Sequence, residues 1–241
     1  MSTVLLRLDS LRIESPHRVL VDGVSLEVQA GKVTALMGPS GSGKTLTARA
    51  ALGQIDLGLT LAKGSLRYPA MSEEDWFSTV RGQGSAANAR LLKKTAALRG
   101  SYMSYAPQLA SSALNPGRTL GRQLELAIRR REETVDDLGA EIRELLREVG
   151  LEPGSARALP AELSGGMCQR AALAIAVAGR PRLVIADEPE TGLDPVLTRA
   201  VTELLIRVCR ERGCGLLLIS HQEETVERIG AEVVRVGDER S

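Results

Sequence analysis

Short apolar runs alternate with segments of helical period along most of this chain, and that alternation predicts its elements. Residues 4–13 and 24–28 alternate apolar and polar positions as half-buried strands do, with Asp22-Gly23 turning the chain just before the second. The run Val33-Thr34-Ala35-Leu36-Met37 reads as a fully buried strand, and residues 46–52 as the opening of a helix. A turn-rich stretch follows, with a short strand at 65–68 and another at 101–106 that ends at Pro107-Gln108. Between them, the polar stretch 70–94 with Gly82, Gly84 and Ser85 predicts an exposed loop with some helix. From 109 to 179 the period is helical. Residues 120–131 form one candidate, and 136–149 a better one, with Ile142, Leu145, Leu146 and Val149 on one face and Gly150 ending it. Its charges, Glu141, Arg143, Glu144 and Arg147, are a solvated face, and 169–178 reads as an Ala-rich buried helix. Strands at 183–186, 215–220 and 232–236 then alternate with helices at 195–212 and 223–229. Such alternation implies an α/β architecture, with a mainly parallel sheet covered on both faces and a helical insertion between its two halves.

Composition adds bounds. With 241 residues and 43% hydrophobic content, the chain suffices for one large domain, and at 2% aromatic its core is expected to rest on Leu, Val, Ile and Ala. The net charge of +1 argues against a dominant nucleic-acid surface. Three cysteines, Cys168, Cys209 and Cys214, show no metal spacing and suit a reducing compartment. The first nine residues lack the features of a signal peptide, and the longest apolar run, 171–178, falls far short of the roughly 20 residues a membrane span needs. A soluble intracellular protein is expected, with any membrane role exercised through partners.

The chemistry centres on Gly38-Pro39-Ser40-Gly41-Ser42-Gly43-Lys44-Thr45, a complete phosphate-loop pattern between a strand and a helix. Its glycines let the backbone turn N–H groups toward a polyphosphate, and the helix N-terminus adds partial positive charge. Lys44 then reaches the β- and γ-phosphates, and the Thr45 hydroxyl ligates Mg²⁺. A plain strand-to-helix turn would use the same glycines, but here strand, full motif and helix stand in order. Further on, the apolar strand before Asp187-Glu188 delivers two carboxylates at its tip. Asp187 suits a metal, and Glu188 is placed to orient or deprotonate an attacking water. Leu163-Ser164-Gly165-Gly166 before an apolar helix makes either a second anion site or an ordinary cap by Ser164.

Together these motifs resemble the ATP-binding subunits of ABC transporters. Leu163-Ser164-Gly165-Gly166 stands where that family has its signature, and Gln108, Gly192-Leu193-Asp194 and His221 fall in the family's order over nearly the whole chain. Pro160-Ala161-Glu162 before the signature, Gln169-Arg170 after it, Leu98-Arg99-Gly100, Leu114-Asn115-Pro116 and the wide separation of Lys44 from Gln108 are similar to subunits of oligopeptide, dipeptide and nickel importers. The short tail after His221 sits nearer the nickel-type subunits. The resemblance implies a P-loop NTPase core with an N-terminal antiparallel β part and an inserted helical subdomain at about 109–179, all in one ABC ATPase domain spanning 1–241. It implies ATP and Mg²⁺ as ligands, with Thr45, Gln108 and Asp187 at the metal and Glu188, His221 and Gln108 in hydrolysis. Ser164, Gly165 and Gly166 would contact ATP held by a partner subunit, and Asp194 would couple the two sites. The partners implied are two membrane permeases, a second, non-identical ATP-binding subunit and an extracytoplasmic solute-binding protein, at the cytoplasmic face of the inner membrane and without nucleic acid. The chain departs from the family at three places. Residues 12–19 hold no aromatic to stack on adenine, Pro107-Gln108-Leu109 replaces aromatic-Gln-acid, and Glu190 stands where Thr is frequent. Two rival readings are a non-transport ABC ATPase acting on nucleic acid or translation, and a catalytically degenerate half of a heterodimer.

Overall fold

The computed structural model describes residues 3–109, 113–131, 133–189 and 195–237. Among these residues, eight strands form two sheets. β1 (Val4–Glu14), β2 (Val19–Gln29) and β4 (Thr60–Arg67) make an antiparallel sheet in the order β2-β1-β4. β3 (Val33–Met37), β5 (Met103–Ala106), β6 (Leu183–Asp187), β7 (Gly215–Ile219) and β8 (Glu232–Arg235) make a parallel sheet in the order β5-β6-β7-β3-β8. The helices are α1 (Lys44–Ala51), α2 (Ser85–Thr95), α3 (Leu120–Ile128), α4 (Leu138–Glu148), α5 (Gly165–Ala178), α6 (Pro195–Glu211) and α7 (Glu223–Arg228).

The parallel sheet is a wall between two cores, which explains why its strands read as unbroken apolar runs. Alternate residues face opposite ways: Leu183, Ile185, Leu217 and Ile219 join a core with α1 and the antiparallel sheet. Val184, Ala186, Leu216 and Leu218 join a second core with α3 to α6. The expected mainly parallel sheet, covered on both faces, is present together with the antiparallel N-terminal part.

Several boundaries differ from the sequence reading, each for a physical reason. β2 runs well beyond 24–28, because its first half pairs with the far end of β1 out to Glu14↔Val19. In β1 the buried positions change phase from Leu6 and Leu8 to Leu11 and Ile13. A register shift between Leu8 and Leu11, with Ser10 at φ 49°, supplies the extra residue of a bulge. β4 begins five residues early for the same reason: Gly64, at φ 113°, lies against the bulged backbone, where a Cβ would come 2.9 Å from Leu11 Cα. The stretch 70–94 is largely exposed and carries a helix, as expected, but a few buried residues anchor it. Trp76, Phe77 and Val80 are buried, and α2 buries Ala87 and Leu91. Three of the few aromatics cluster in space: Tyr68 packs edge-on to Trp76 at 5.4 Å and to Tyr102 at 5.6 Å, so the core is less purely aliphatic than composition suggested. α5 starts at Gly165 rather than 169, because Ser164 caps it.

Candidate functional site

The order of the parallel sheet brings the candidate residues together. Gln108 follows β5, Asp187 and Glu188 close β6, His221 follows β7, and the phosphate loop follows β3, so all lie at the carboxyl edge of adjacent strands. Ligands of open α/β sheets bind at this edge.

The loop itself is shaped by close backbone approaches. Gly38 has φ 148°, and a Cβ there would sit 2.1 Å from Val236 O; the Val236 N–H in turn donates to Met37 O at 2.8 Å. Gly43, at φ 96°, caps α1 where a Cβ would meet Val21 Cγ2 at 2.6 Å and Leu20 O at 2.7 Å. No acid occupies the first turn of α1, so the field of its N–H groups is left for an anion. Lys44 is 5% exposed, and its ammonium donates to Gly38 O and Pro39 O, both at 2.9 Å. The Ser42 hydroxyl is buried in the loop without a hydrogen-bond partner. An orphaned hydroxyl, a buried ammonium and a tight glycine cradle at a helix N-terminus fit a polyphosphate.

The carboxylates differ in environment. Asp187 is 2% exposed; Thr45 Oγ1 donates to its Oδ1 at 3.2 Å and the Tyr105 hydroxyl to its Oδ2 at 2.8 Å. Burial pushes its pKa up, against the lowering effect of those two hydrogen bonds. Glu188 turns away from the strand at φ 45°, its N–H held by Ile219 O at 3.0 Å. A non-glycine residue in this region carries strain of about 1–3 kcal/mol, and such strain gathers at functional sites. The turn aims its carboxylate at three partners. Gln108 Nε2 donates to Oε2 at 2.9 Å, His221 Nε2 lies 2.5 Å from Oε1, and Lys44 Nζ lies 4.0 Å from Oε1. Thus Lys44, Gln108 and His221, far apart in sequence, converge on one glutamate.

Ser164, Gly165 and Gly166 do not join this cluster. Ser164 accepts from Met167 N at 3.3 Å as the cap of α5, and Ser164 and Gly165 are exposed. Among the described residues, no hydrogen bond or ion pair connects the three to the phosphate loop or to Glu188. One tie does run from their helix to the site: the buried Gln169 amide donates to Pro189 O, next to Glu188. Gln169 and Tyr105 were not singled out from the sequence as site residues. Tyr105 carries a signal that sequence does offer, an aromatic among very few, at the tip of a strand. Half-buried Cys168 has its thiol pKa raised by burial, and His17 lies on an exposed turn. Asp194, with Gly192 and Leu193, lies outside the described residues.

Among the described residues, no group of three or more His, Cys, Asp or Glu is placed to hold a metal ion. The adjoining oxygens of Thr45 and Asp187 fit the sparse protein share of a Mg²⁺ shell that substrate phosphates and water would complete.

Known proteins place this geometry. A family profile described as ABC transporter matches residues 21–191. The nickel import ATP-binding protein NikD of Brucella abortus is 37% identical over 230 residues, covering 92% of this chain and 78% of that protein. The dipeptide transport ATP-binding protein DppD of Escherichia coli is 32% identical over 248 residues, covering 95% of this chain and 68% of its own. Among solved structures, a dimeric post-hydrolysis state of an ATP-binding cassette bound to ADP and Pi shares the fold with a TM-score of 0.71 at 20% identity, covering 96% of this chain and 94% of that one. With its profile match spanning more than half the sequence and such relatives covering nearly all of it, the chain belongs to the ABC transporter family, as one of its ATP-binding subunits.

Proposed function

We propose that this chain is the ATP-hydrolysing subunit of an importer for peptide, nickel or a metal chelate. It works at the cytoplasmic face of the inner membrane with two permeases, a second, non-identical ATP-binding subunit and an extracytoplasmic solute-binding protein, and without nucleic acid. The observation that carries the reading is the convergence of Lys44, Gln108 and His221 on Glu188 beside the phosphate loop. No helix among the described residues is long and apolar enough to cross a membrane, in keeping with permeases as separate chains.

In this reading, residues 38–45 cradle the β- and γ-phosphates, with Lys44 exchanging its two carbonyl partners for phosphate oxygens. Thr45, Gln108 and Asp187 hold Mg²⁺, which when bound neutralises charge on the phosphate oxygens. Glu188 takes a proton from the attacking water, a role worth about 10²- to 10⁴-fold in rate. His221 orients that water and the γ-phosphate, and Gln108 links the site to the membrane partner. Ser164, Gly165 and Gly166 close over ATP bound to the other subunit, and Asp194 couples the two sites. Residues 1–241 act as one ATPase domain, with residues 109–179 as its helical subdomain. The test is reconstitution with the cognate permeases in proteoliposomes, measuring ATP hydrolysis and uptake of labelled dipeptide or Ni²⁺. Hydrolysis that depends on the permeases and drives uptake is expected. Hydrolysis stimulated by nucleic acid and indifferent to the permeases would overturn the proposal.

A further inference from the structure

One side chain that the roles above leave unused reaches into the site. Tyr105 lies in β5, paired in parallel register with Ile185 of β6, two residues before Asp187. Its ring packs against the core beneath the antiparallel sheet, and its hydroxyl donates to Asp187 Oδ2 at 2.8 Å. From α1, Thr45 donates to the other oxygen, Oδ1, at 3.2 Å. Each oxygen of an almost fully buried carboxylate therefore holds one neutral donor from a different element. A second contact steadies the tyrosine. Arg49, one turn after Thr45 on α1, lies against the Tyr105 hydroxyl while its guanidinium donates to Asp56 Oδ2 at 2.6 Å.

The consequence concerns rotation. The terminal torsion of an aspartate is broad and roughly two-fold, so an unpinned carboxylate presents either oxygen, at a range of angles, to a metal. Tyr105 occupies Oδ2 and leaves Oδ1 as the oxygen shared with Thr45. We propose that Tyr105 is a positioning residue for the cation site: by pinning Asp187 Oδ2, it fixes Oδ1 beside the Thr45 hydroxyl, where the two would hold Mg²⁺. The proposal rests on the reading of Thr45 and Asp187 as Mg²⁺ holders. Partners of metal ligands of this kind are typically worth about 10- to 100-fold in metal affinity.

The test measures binding rather than turnover. ATP affinity is determined by displacement of a fluorescent N-methylanthraniloyl-ATP, once in EDTA and once in saturating Mg²⁺, and the ratio of the two affinities reports how strongly the metal contributes. Tyr105→Phe keeps the ring and its packing and removes only the donor. The expected result is a ratio reduced by about 10-fold, with the affinity in EDTA within about twofold of the parent's. Asp187→Asn should reduce the ratio as well, and adding Tyr105→Phe to it should cause no further loss, because the tyrosine acts through the aspartate. An unchanged ratio in Tyr105→Phe overturns the proposal, as does equal weakening with and without Mg²⁺, which would mark a structural role. So does additive loss in the double variant. A parent protein whose ATP affinity ignores Mg²⁺ would refute the metal reading itself, an outcome distinct from the other three.

Discussion

Asp187 sits in a place that disfavours charge. Among the described residues two neutral hydroxyls donate to it, and burial raises its pKa from the ordinary value. An acid whose folded-state pKa is raised contributes stability that is fully present below its unfolded-state pKa of about 4 and is lost as pH rises through the folded value. Above the folded value, the ligand-free protein therefore bears the cost of this charge. Asp187→Asn, which still offers an acceptor and a donor to the two hydroxyls, should raise the melting temperature of the ligand-free chain at pH 7. A shift of about 2–4 °C would correspond to roughly 1 kcal/mol in a chain of this size. The gain should shrink as the pH is lowered toward 4, because the parent's carboxyl then becomes neutral too. Differential scanning calorimetry across that range measures it, and a lower melting temperature for the variant at pH 7 would contradict the argument. Lys44 is the opposite case, a buried cation already held in place by loop carbonyls. Lys44→Ala should cut hydrolysis by at least about 10²-fold, as the loss of a preorganised charge at a phosphoryl site does. Near-normal phosphate release by that variant would remove the functional reading altogether.

At the scale of elements, the sequence was most legible where local chemistry and pattern agree. Strand β3, the glycine loop and α1 announce one another, and the apolar run into Asp187-Glu188 needs both faces of a sheet covered. The antiparallel sheet was less legible. The bulge at Ser10 breaks the alternation of β1, and Gly64 reads locally as a turn although it sits inside a strand. The stretch 70–94 was legible as largely exposed with some helix, whereas the few residues that anchor it, Trp76, Phe77, Val80 and Leu91, are lost among its polar majority. The Tyr105–Asp187 and Gln169–Pro189 contacts are invisible in sequence because they depend on which strands become neighbours. The same logic separates two loop glycines. Gly43→Ala would drive a methyl into Val21 and the Leu20 carbonyl, so ATP binding and thermal stability should both fall. Gly41 also has a positive φ of 80°, but nothing lies within 4 Å of where its Cβ would be. Gly41→Ala should cost only the conformational penalty of about 1–2 kcal/mol. Equal losses in the two variants, by thermal melts and nucleotide titration, would mean that the packing of β2 against the loop is unimportant.

At the scale of the whole molecule, one chain holds the parts of a site without bringing them all together. The phosphate loop, Glu188, Gln108 and His221 form one cluster, while among the described residues the exposed Ser164 and Gly165 make no hydrogen bond or ion pair with it. In the proposed reading a second subunit supplies the missing face, so the isolated chain should be mostly monomeric and weakly active. Glu188→Gln isolates that step, because it keeps the size of the side chain and its hydrogen bonding but removes the base. Hydrolysis should fall by about 10²-fold or more, whereas nucleotide affinity should barely change, since Lys44, Thr45 and the loop amides remain. ATP then persists, and its γ-phosphate stays available to Ser164, Gly165 and Gly166 of the facing subunit. Light scattering should detect a dimer of ATP-binding subunits in ATP that ADP does not support. Ser164→Arg on the facing chain should prevent that dimer, because a long cationic side chain would fill the seat of the phosphate at the start of α5 and displace the cap at Met167 N. Normal hydrolysis by Glu188→Gln would show that Glu188 is not the base. A trapped dimer that tolerates Ser164→Arg would show that this helix start makes no nucleotide contact, whatever the chemistry at Glu188.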